Sequence, residues 1–569
     1  MSEPVDKRYA IHPAVGIARL GNADVDPTKP ESFYLGAESP YQVPNENGSY
    51  KRDGRIKKQA QRFRIYEYQD GTPVREITLA APDVAAIEWT VHLANRKAAL
   101  DPSKTPGSES LPSAVPPKPW GLNATPPPDA HADLHYWPAI IRNKDVSDRD
   151  QLVIDAGPRS VCGDGQRVSL GGTVTFKGAT KAVSLGTLTT ENDTGRLLVF
   201  AADGLSEGLD DNGEYSPLPK LSDWGNNDDW YDDTADGWVR AKVTFADGTV
   251  AVLDEPDQRA WVICAAPRYA PAIGWFTTLY DTAVNALGTA VPDKPSFARH
   301  IYPILRCASL LPWLSVRAAA GHSRGGPGNY MLPGMMKLLM DTDPAPDSDS
   351  YKLRNSIFQR LRDPNAEYVD RETVQHFMPQ VSKDITRNKT GDYDVAVLTP
   401  FQYAICRKWR DGDFLADAIP SYVPLEQLDI AAQPSALDQA AVEGSAGTPF
   451  YPGIESWRIL RARELYADSP LRFSDSTRPG DLTMGNALPW QADFLDCNDA
   501  WWPVQRPNQV TRDNQPLQPW VPPSWMPTED EADYNAMVAG WWRLGFVVSD
   551  RNGERYIEVD GDADADHTA

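Results

Sequence analysis

Cysteine is scarce in this sequence. The five in 569 residues (Cys162, Cys264, Cys307, Cys406 and Cys497) are too few for a disulfide framework, and none stands in the C-x-x-C spacing of a thiolate zinc site. No apolar run approaches the roughly 20 residues of a membrane span, and the opening MSEPVDKRYAIHPAVG lacks the apolar stretch of a signal peptide. Synthesis and folding in the cytoplasm are expected, with later export left open. Positive charge is also short: 56 Lys and Arg against 79 Asp and Glu give a net charge of −23. That field repels phosphate backbones and anionic lipid, which disfavours nucleic acid and membrane as partners.

Aromatic and apolar residues, by contrast, are plentiful. Hydrophobic residues make up 41% and aromatics 10%, with 18 Trp, a composition that builds globular cores. The alternating run Trp238 to Phe245, closed by Asp247-Gly248, reads as a hairpin. Thr173 to Phe176, Ala182 to Leu185 and Arg196 to Phe200 repeat the pattern, so a sandwich or barrel-like region is expected over about 140–260. Residues 103–129, with Pro126, Pro127 and Pro128, read as a long loop. From about 290 the apolar spacing turns helical, around 330–340, 351–362 and 401–415, and proline keeps the elements short. The expected fold class is α+β, with a β-rich domain over 1–285 and a mainly helical, proline-rich domain over 286–569 that ends in an acidic tail.

Several motifs compete for the chemistry. Gly321-His322-Ser323-Arg324-Gly325 spells the G-x-S-x-G nucleophile elbow, which needs a buried strand before the serine and an unbroken helix after it. Pro327 and Pro333 interrupt that helix, and only His376 and His567 lie downstream as bases, so a Gly-rich loop is the better reading. His131 and His135 stand four apart, but Ala132 replaces the zincin glutamate and three prolines precede them, so a loop rather than a metal site is expected. The run Asp228, Asp229, Asp232, Asp233 and Asp236 lacks the Gly and Glu placement of a calcium loop and reads as a solvated or capping loop. Near the C-terminus, Thr528 to Glu531 makes a capping box. Tyr534, Met537, Val538, Trp541, Trp542 and Gly545 follow at helical spacing, predicting a buried helix that ends near Gly545. Pro489 suits the first position of another helix, on which a four-residue step sets Asp493 beside Cys497.

Taken together, several stretches resemble the tryptophylquinone amino-acid oxidases, the family of bacterial lysine ε-oxidase and its glycine oxidase relatives. They are IHPAVGIARLGN at Ile11, WTVHLAN at Trp89, WYDDTADG at Trp230, YPGIE at Tyr451, and PWQAD at Pro489 with Cys497, ahead of WWRLGF at Trp541. They span nearly the whole chain, and their order makes the match specific. The resemblance implies a cysteine tryptophylquinone made from one Cys and one Trp of this chain, and it assigns the sulfur to Cys497. The family pattern of Trp, two residues, then Leu-Gly-Phe selects Trp541, with the adjacent Trp542 as the alternative. Asp493 falls on a carboxylate with a part in maturing the cofactor, and Tyr231 on an aromatic position that borders the substrate space. A histidine near the quinone in glycine-oxidising relatives has no counterpart, because no His lies between 377 and 566, which puts glycine in doubt as substrate.

The implied activity is oxidative deamination of a primary amine or amino acid, with O2 as acceptor and H2O2 and ammonia as products. Asp493 is the leading candidate for the base that removes the carbon-bound proton. Trp490, Trp501, Trp502 and Trp541 are candidates for walls that exclude water. The implied partners are the small substrate, O2 and a maturation flavoprotein, and a homo-oligomer is expected. A serine hydrolase using Ser323 and a catalytically silent relative remain as alternatives. The assignment of the sulfur has a direct test. Cys497→Ala should abolish quinone staining and turnover, while Ser or Ala at Cys162, Cys264, Cys307 and Cys406 should leave the stain; full activity in Cys497→Ala would refute the cross-link.

Overall fold

Alternation of apolar and polar side chains folds Ala235–Phe245 against Val250–Leu253 as the expected hairpin, with Gly248 at φ +85° in the turn. The computed structural model describes residues 6–101, 141–163, 165–221, 223, 225–322, 326, 328–366, 377–378, 397–419, 421–446, 460, 462–467, 469, 471–496, 504–512, 516–526, 534–550 and 555–562. The hairpin belongs to a 14-stranded sheet. Its main path runs Arg159–Val161, Val84–Asn95, Ala235–Phe245, Ala260–Ala265, Val15–Arg19, Gln59–Gln69, Leu197–Ala201, Ala179–Thr190 and Val168–Phe176. Every pairing along it is antiparallel except Ala260–Ala265 with Val15–Arg19. The first and last strands of the path approach each other, so the sheet curls into a nearly closed barrel.

The barrel begins earlier than about 140, because strands from the first hundred residues complete it. Gln59–Gln69 is hard to read as a central strand, since Gln59, Gln61, Arg62, Arg64 and Glu67 interrupt its apolar positions. Burial is tolerated because the charges are paired. Arg64 is 1% exposed with Glu38 at 3.0 Å and Glu76 at 3.2 Å, and Arg62 bridges Glu38 and Glu191. From Leu279 onward helices dominate, among them Leu279–Ala286, Tyr302–Leu310, Asp349–Phe358, Pro400–Arg410 and Gln433–Glu443. The α+β class therefore holds, with two short hairpins, Gln509–Val510 with Gln518–Pro519 and Phe546–Ser549 with Tyr556–Val559, added near the C-terminus. One apolar cluster runs from Ile11 to Tyr556 and joins residues of the sheet to residues beyond 460. Among the described residues no helix is long and apolar enough to cross a membrane.

Three expectations change. Asp232, Asp233 and Asp236 are buried rather than solvated, whereas Asp228 is exposed. Their partners lie far off in sequence: Lys97 Nζ sits 2.7 Å from Asp232, and Thr483 donates its amide and hydroxyl to Asp236. The predicted helix through Gly545 ends early, as Asn535–Gly540 followed by a 3-10 turn at Trp541–Arg543 and a strand from Phe546. Before Ser323 stands the helix Val316–Gly321 where an elbow requires a strand, so the hydrolase reading is set aside. Ser323, the 103–129 loop, His131, His135, His376, Thr528 to Glu531 and the end of the acidic tail lie outside the described residues, as do Tyr451 to Glu455.

The Lys97–Asp232 pair, 1% and 0% exposed, makes a stability prediction. Lys97→Met strands a buried carboxylate and should cost about 3–5 kcal/mol, and adding Asp232→Asn should recover much of it. Urea midpoints measure both; a single variant as stable as the parent would show that water reaches the pair.

Candidate active site

The segment Asp481 to Gln491 is fixed from the barrel side, and this positions the helix Trp490–Asp496. Thr483 is held by Asp236, Lys97 Nζ donates to the Ala487 carbonyl at 2.9 Å, and the Trp490 amide donates to Asp232 Oδ2 at 3.1 Å. One residue on, Gln491 accepts from Ser206 Oγ (2.7 Å) and donates to the Gly204 carbonyl (3.0 Å). The helix is thereby tied to both Trp230–Asp232 and Ser206–Leu209, strands that pair with each other. Asn535–Gly540 packs against it and delivers Trp541.

Trp541 is 3% exposed, and its carbonyl accepts from the Tyr269 hydroxyl at 2.8 Å. Its indole meets that of Trp490 edge-on, with centroids 5.3 Å apart and planes at 71°. Gly204 covers the six-membered ring. A Cβ there would fall 2.3 Å from Cζ2 and 2.8 Å from Cη2 of Trp541, and the backbone stands at φ +80°, so glycine is required twice over. Trp542 is only half-buried and donates its indole N–H to Ala539. Of the two candidate indoles, Trp541 is the one enclosed against the helix that leads to Cys497.

Four carboxyl groups surround this region in different environments. Asp232 accepts from Lys97, Asn95, Thr234 and Trp490. Asp236 accepts from Thr483, Trp261 and Gly480, and burial still pushes its pKa up to about 6. Asp233 is 2% exposed and accepts only from the Leu205 amide, at 2.8 Å on Oδ2, while Oδ1 has no hydrogen-bond partner among the described residues. Burial raises its pKa to about 8, with the Leu205 amide opposing and Asp232 and Asp203 adding to the shift. Asp493 is 1% exposed on the middle of the Trp490–Asp496 helix.

Of the residues singled out from sequence, Asp493, Trp490 and Trp541 come together, with Asp493 on the helix and Trp541 packed against Trp490 on it. Cys497, Trp501 and Trp502 lie outside the described residues. Tyr231 is buried, but its hydroxyl donates to Glu207 and its ring meets Tyr215 at 5.9 Å, on the strand face opposite Trp230 and Asp232. Burial and Glu207 hold its phenol well above the usual range. Sequence reading missed Gly204 and placed Asp233 in a solvated or capping loop. A glycine gives no signal of a distant indole, and an Asp in a polar run looks solvated until its environment is known.

Comparisons with known proteins agree with this architecture. A family profile described as L-Lysine epsilon oxidase N-terminal matches residues 12–264, and one described as L-lysine epsilon oxidase C-terminal domain matches 379–520. The chain is 28% identical to the L-lysine 6-oxidase of Marinomonas mediterranea over 86% of its own length and 71% of that protein's. It superposes on the crystal structure of the L-Lys epsilon-oxidase from the same organism with a TM-score of 0.71 at 22% identity, covering 97% of this chain and 95% of that one. The Schiff base intermediate of that enzyme with L-Lys matches with the same TM-score and identity over 98% and 95%. At this identity the superposition speaks for the fold.

The close approach at Gly204 carries a prediction. Gly204→Ala adds left-handed backbone strain and a contact with the Trp541 ring, so it should lower stability by at least about 2 kcal/mol. An unchanged urea midpoint would show that the 203–205 turn moves aside freely.

Proposed function

The chain belongs to the L-lysine ε-oxidase family, and from that premise we propose that it oxidises a primary amino group of an amino acid at a cysteine tryptophylquinone formed from its own Cys497 and Trp541. The carrying observation is the enclosure of Trp541 against Trp490, on the helix whose next residue is Cys497. The polar surroundings fit such a group. Trp490 Nε1 and Asp233 Oδ1 are buried without partners among the described residues, one on an indole packed against Trp541 and the other next to the turn that covers it. An unmodified six-membered ring offers no acceptor to the indole N–H or to a protonated Asp233. A ring that has gained oxygen does.

When present, the quinone supplies an electrophilic carbonyl and takes two electrons, which no unmodified side chain does well. The protein's own part is placement, proton handling and exclusion of water. Trp490 and Gly204 pack on the Trp541 ring and close it off from solvent, which strengthens every polar interaction within the site. Asp493, buried on the same helix, is the carboxylate we assign to proton removal from the substrate carbon and to maturation of the cofactor. Tyr231 would border the substrate space. In sum, amine, O2 and water become carbonyl product, ammonia and H2O2. The family relative acts on L-lysine, and an amino acid with a free primary amine is the proposed substrate class here.

Conversion of an indole to a quinone adds oxygen and removes several electrons, so we assign maturation to a separate flavoprotein. The chain expressed alone should carry an unmodified or partly modified Trp541 and little activity. With the flavoprotein, mass spectrometry should find one cross-linked peptide pair containing Cys497 and Trp541. A pair with Trp542 would correct the register, and complete cofactor made without any partner would overturn the assignment.

A further inference from the structure

Three neighbouring buried carboxyls, Asp232, Asp233 and Asp236, differ in how their oxygens are occupied. Asp232 and Asp236 each accept from several donors, most of them on distant segments, which is how carboxyls that hold a fold together are satisfied in an interior. Among the described residues Asp233 has a single donor, the Leu205 amide, and an Oδ1 without a partner. An ionised carboxylate so poorly solvated is costly, whereas a neutral acid needs no counter-ion. The carboxyls facing it, Asp232 and Asp203, add to that cost although each has a lysine at 2.7 Å, Lys97 and Lys58, and Lys58 opposes them. Among the described residues Cys264 and Tyr231 also lie near it, and burial holds both the thiol and the phenol well above their usual ranges.

The position is as telling as the charge state. The amide that Asp233 accepts from follows directly on Gly204, the residue laid against Cζ2 and Cη2 of Trp541. The outer side of that turn faces water, with the Asp203 side chain 57% and Leu205 58% exposed. The acid thus lies one layer beneath solvent and one residue from the ring contact.

We propose that Asp233 is a second proton-handling carboxyl of this site, a general acid that holds its proton on Oδ1 and works alongside Asp493. The proposal rests on the quinone reading for its target, but its protonation state does not. Condensation of a primary amine with a carbonyl expels one water. The departing oxygen takes the Oδ1 proton, the nitrogen gives one up to the carboxylate, and Asp233 ends as it began. Removing a carbon-bound proton requires an ionised carboxylate, so a second carboxyl that holds its proton at the same pH divides the acid and base duties between two residues. With its pKa at about 8, Asp233 is protonated at neutral pH and loses its proton as pH rises through that value, so the acid function fails on the alkaline side.

The test uses the chain expressed with and without the flavoprotein. In the unmatured protein, the infrared difference between parent and Asp233→Asn should contain a protonated-carboxyl C=O band that disappears as pH rises through about 8. In the matured protein, Asp233→Asn still accepts the Leu205 amide and should keep quinone absorption and staining. Its kcat should fall by ~10² or more, and the alkaline limb of kcat should vanish. Asp233→Glu should regain part of the rate with the limb displaced, and it decides the matter if the Asn variant fails to mature. Absence of the band at neutral pH, or an Asn variant with full kcat and an unchanged pH profile, would overturn the proposal. A matured protein with no quinone but with the band intact would instead sink the quinone reading alone.

Discussion

Asp232 Oδ2 receives the Lys97 ammonium at 2.7 Å and the Trp490 amide at 3.1 Å, in a place with no exposure to water. Lys97 follows the strand Val84–Asn95, Asp232 ends the strand Trp230–Asp232, and Trp490 opens the helix that carries Asp493. Three segments far apart in sequence therefore meet on one oxygen. A buried ion pair is a weak source of net stability compared with apolar packing of the same volume. What it does here is fix register, because any slip of the helix against the pair would leave the Trp490 amide and the Ala487 carbonyl without their partners in the interior.

That anchoring explains how neighbouring carboxyls acquire different tasks. Strand alternation sends Asp232 and Tyr231 to opposite faces, and the next residue, Asp233, falls beneath the 203–205 turn. Within a few residues the chain passes from a carboxylate crowded with donors to a carboxyl with one. Both carboxyls are buried, so the contrast in their surroundings comes from the number of donors among the described residues rather than from depth. Gly204 joins the two functions: its carbonyl holds Gln491 on the Asp493 helix, and its missing side chain leaves room for Trp541.

The match to L-lysine ε-oxidase, with a TM-score of 0.71 at 22% identity over 97% of this chain, speaks for a shared architecture. Substrate choice depends on the few side chains that face the site, and a shared fold does not transfer it.

The amino-acid sequence determined what local pattern can determine. Alternation from Trp238 to Phe245 with Asp247-Gly248 specified a hairpin, and the switch of apolar period after about 290 specified helices, because side-chain periodicity follows directly from backbone geometry. Proline-led Trp490–Asp496 and the order of the quinone-forming motifs were also legible. Tertiary structure alone decided the rest. Gln59–Gln69 is a central strand only because Glu38, Glu76 and Glu191 come from elsewhere to pair its arginines. The helix that was to reach Gly545 stops at Gly540, because the strand Phe546–Ser549 pairs with Tyr556–Val559 and the intervening chain must turn. Asp233 looks in sequence like its four acidic neighbours, since a carboxyl's proton affinity is set by burial and by donors that no stretch of its own chain supplies.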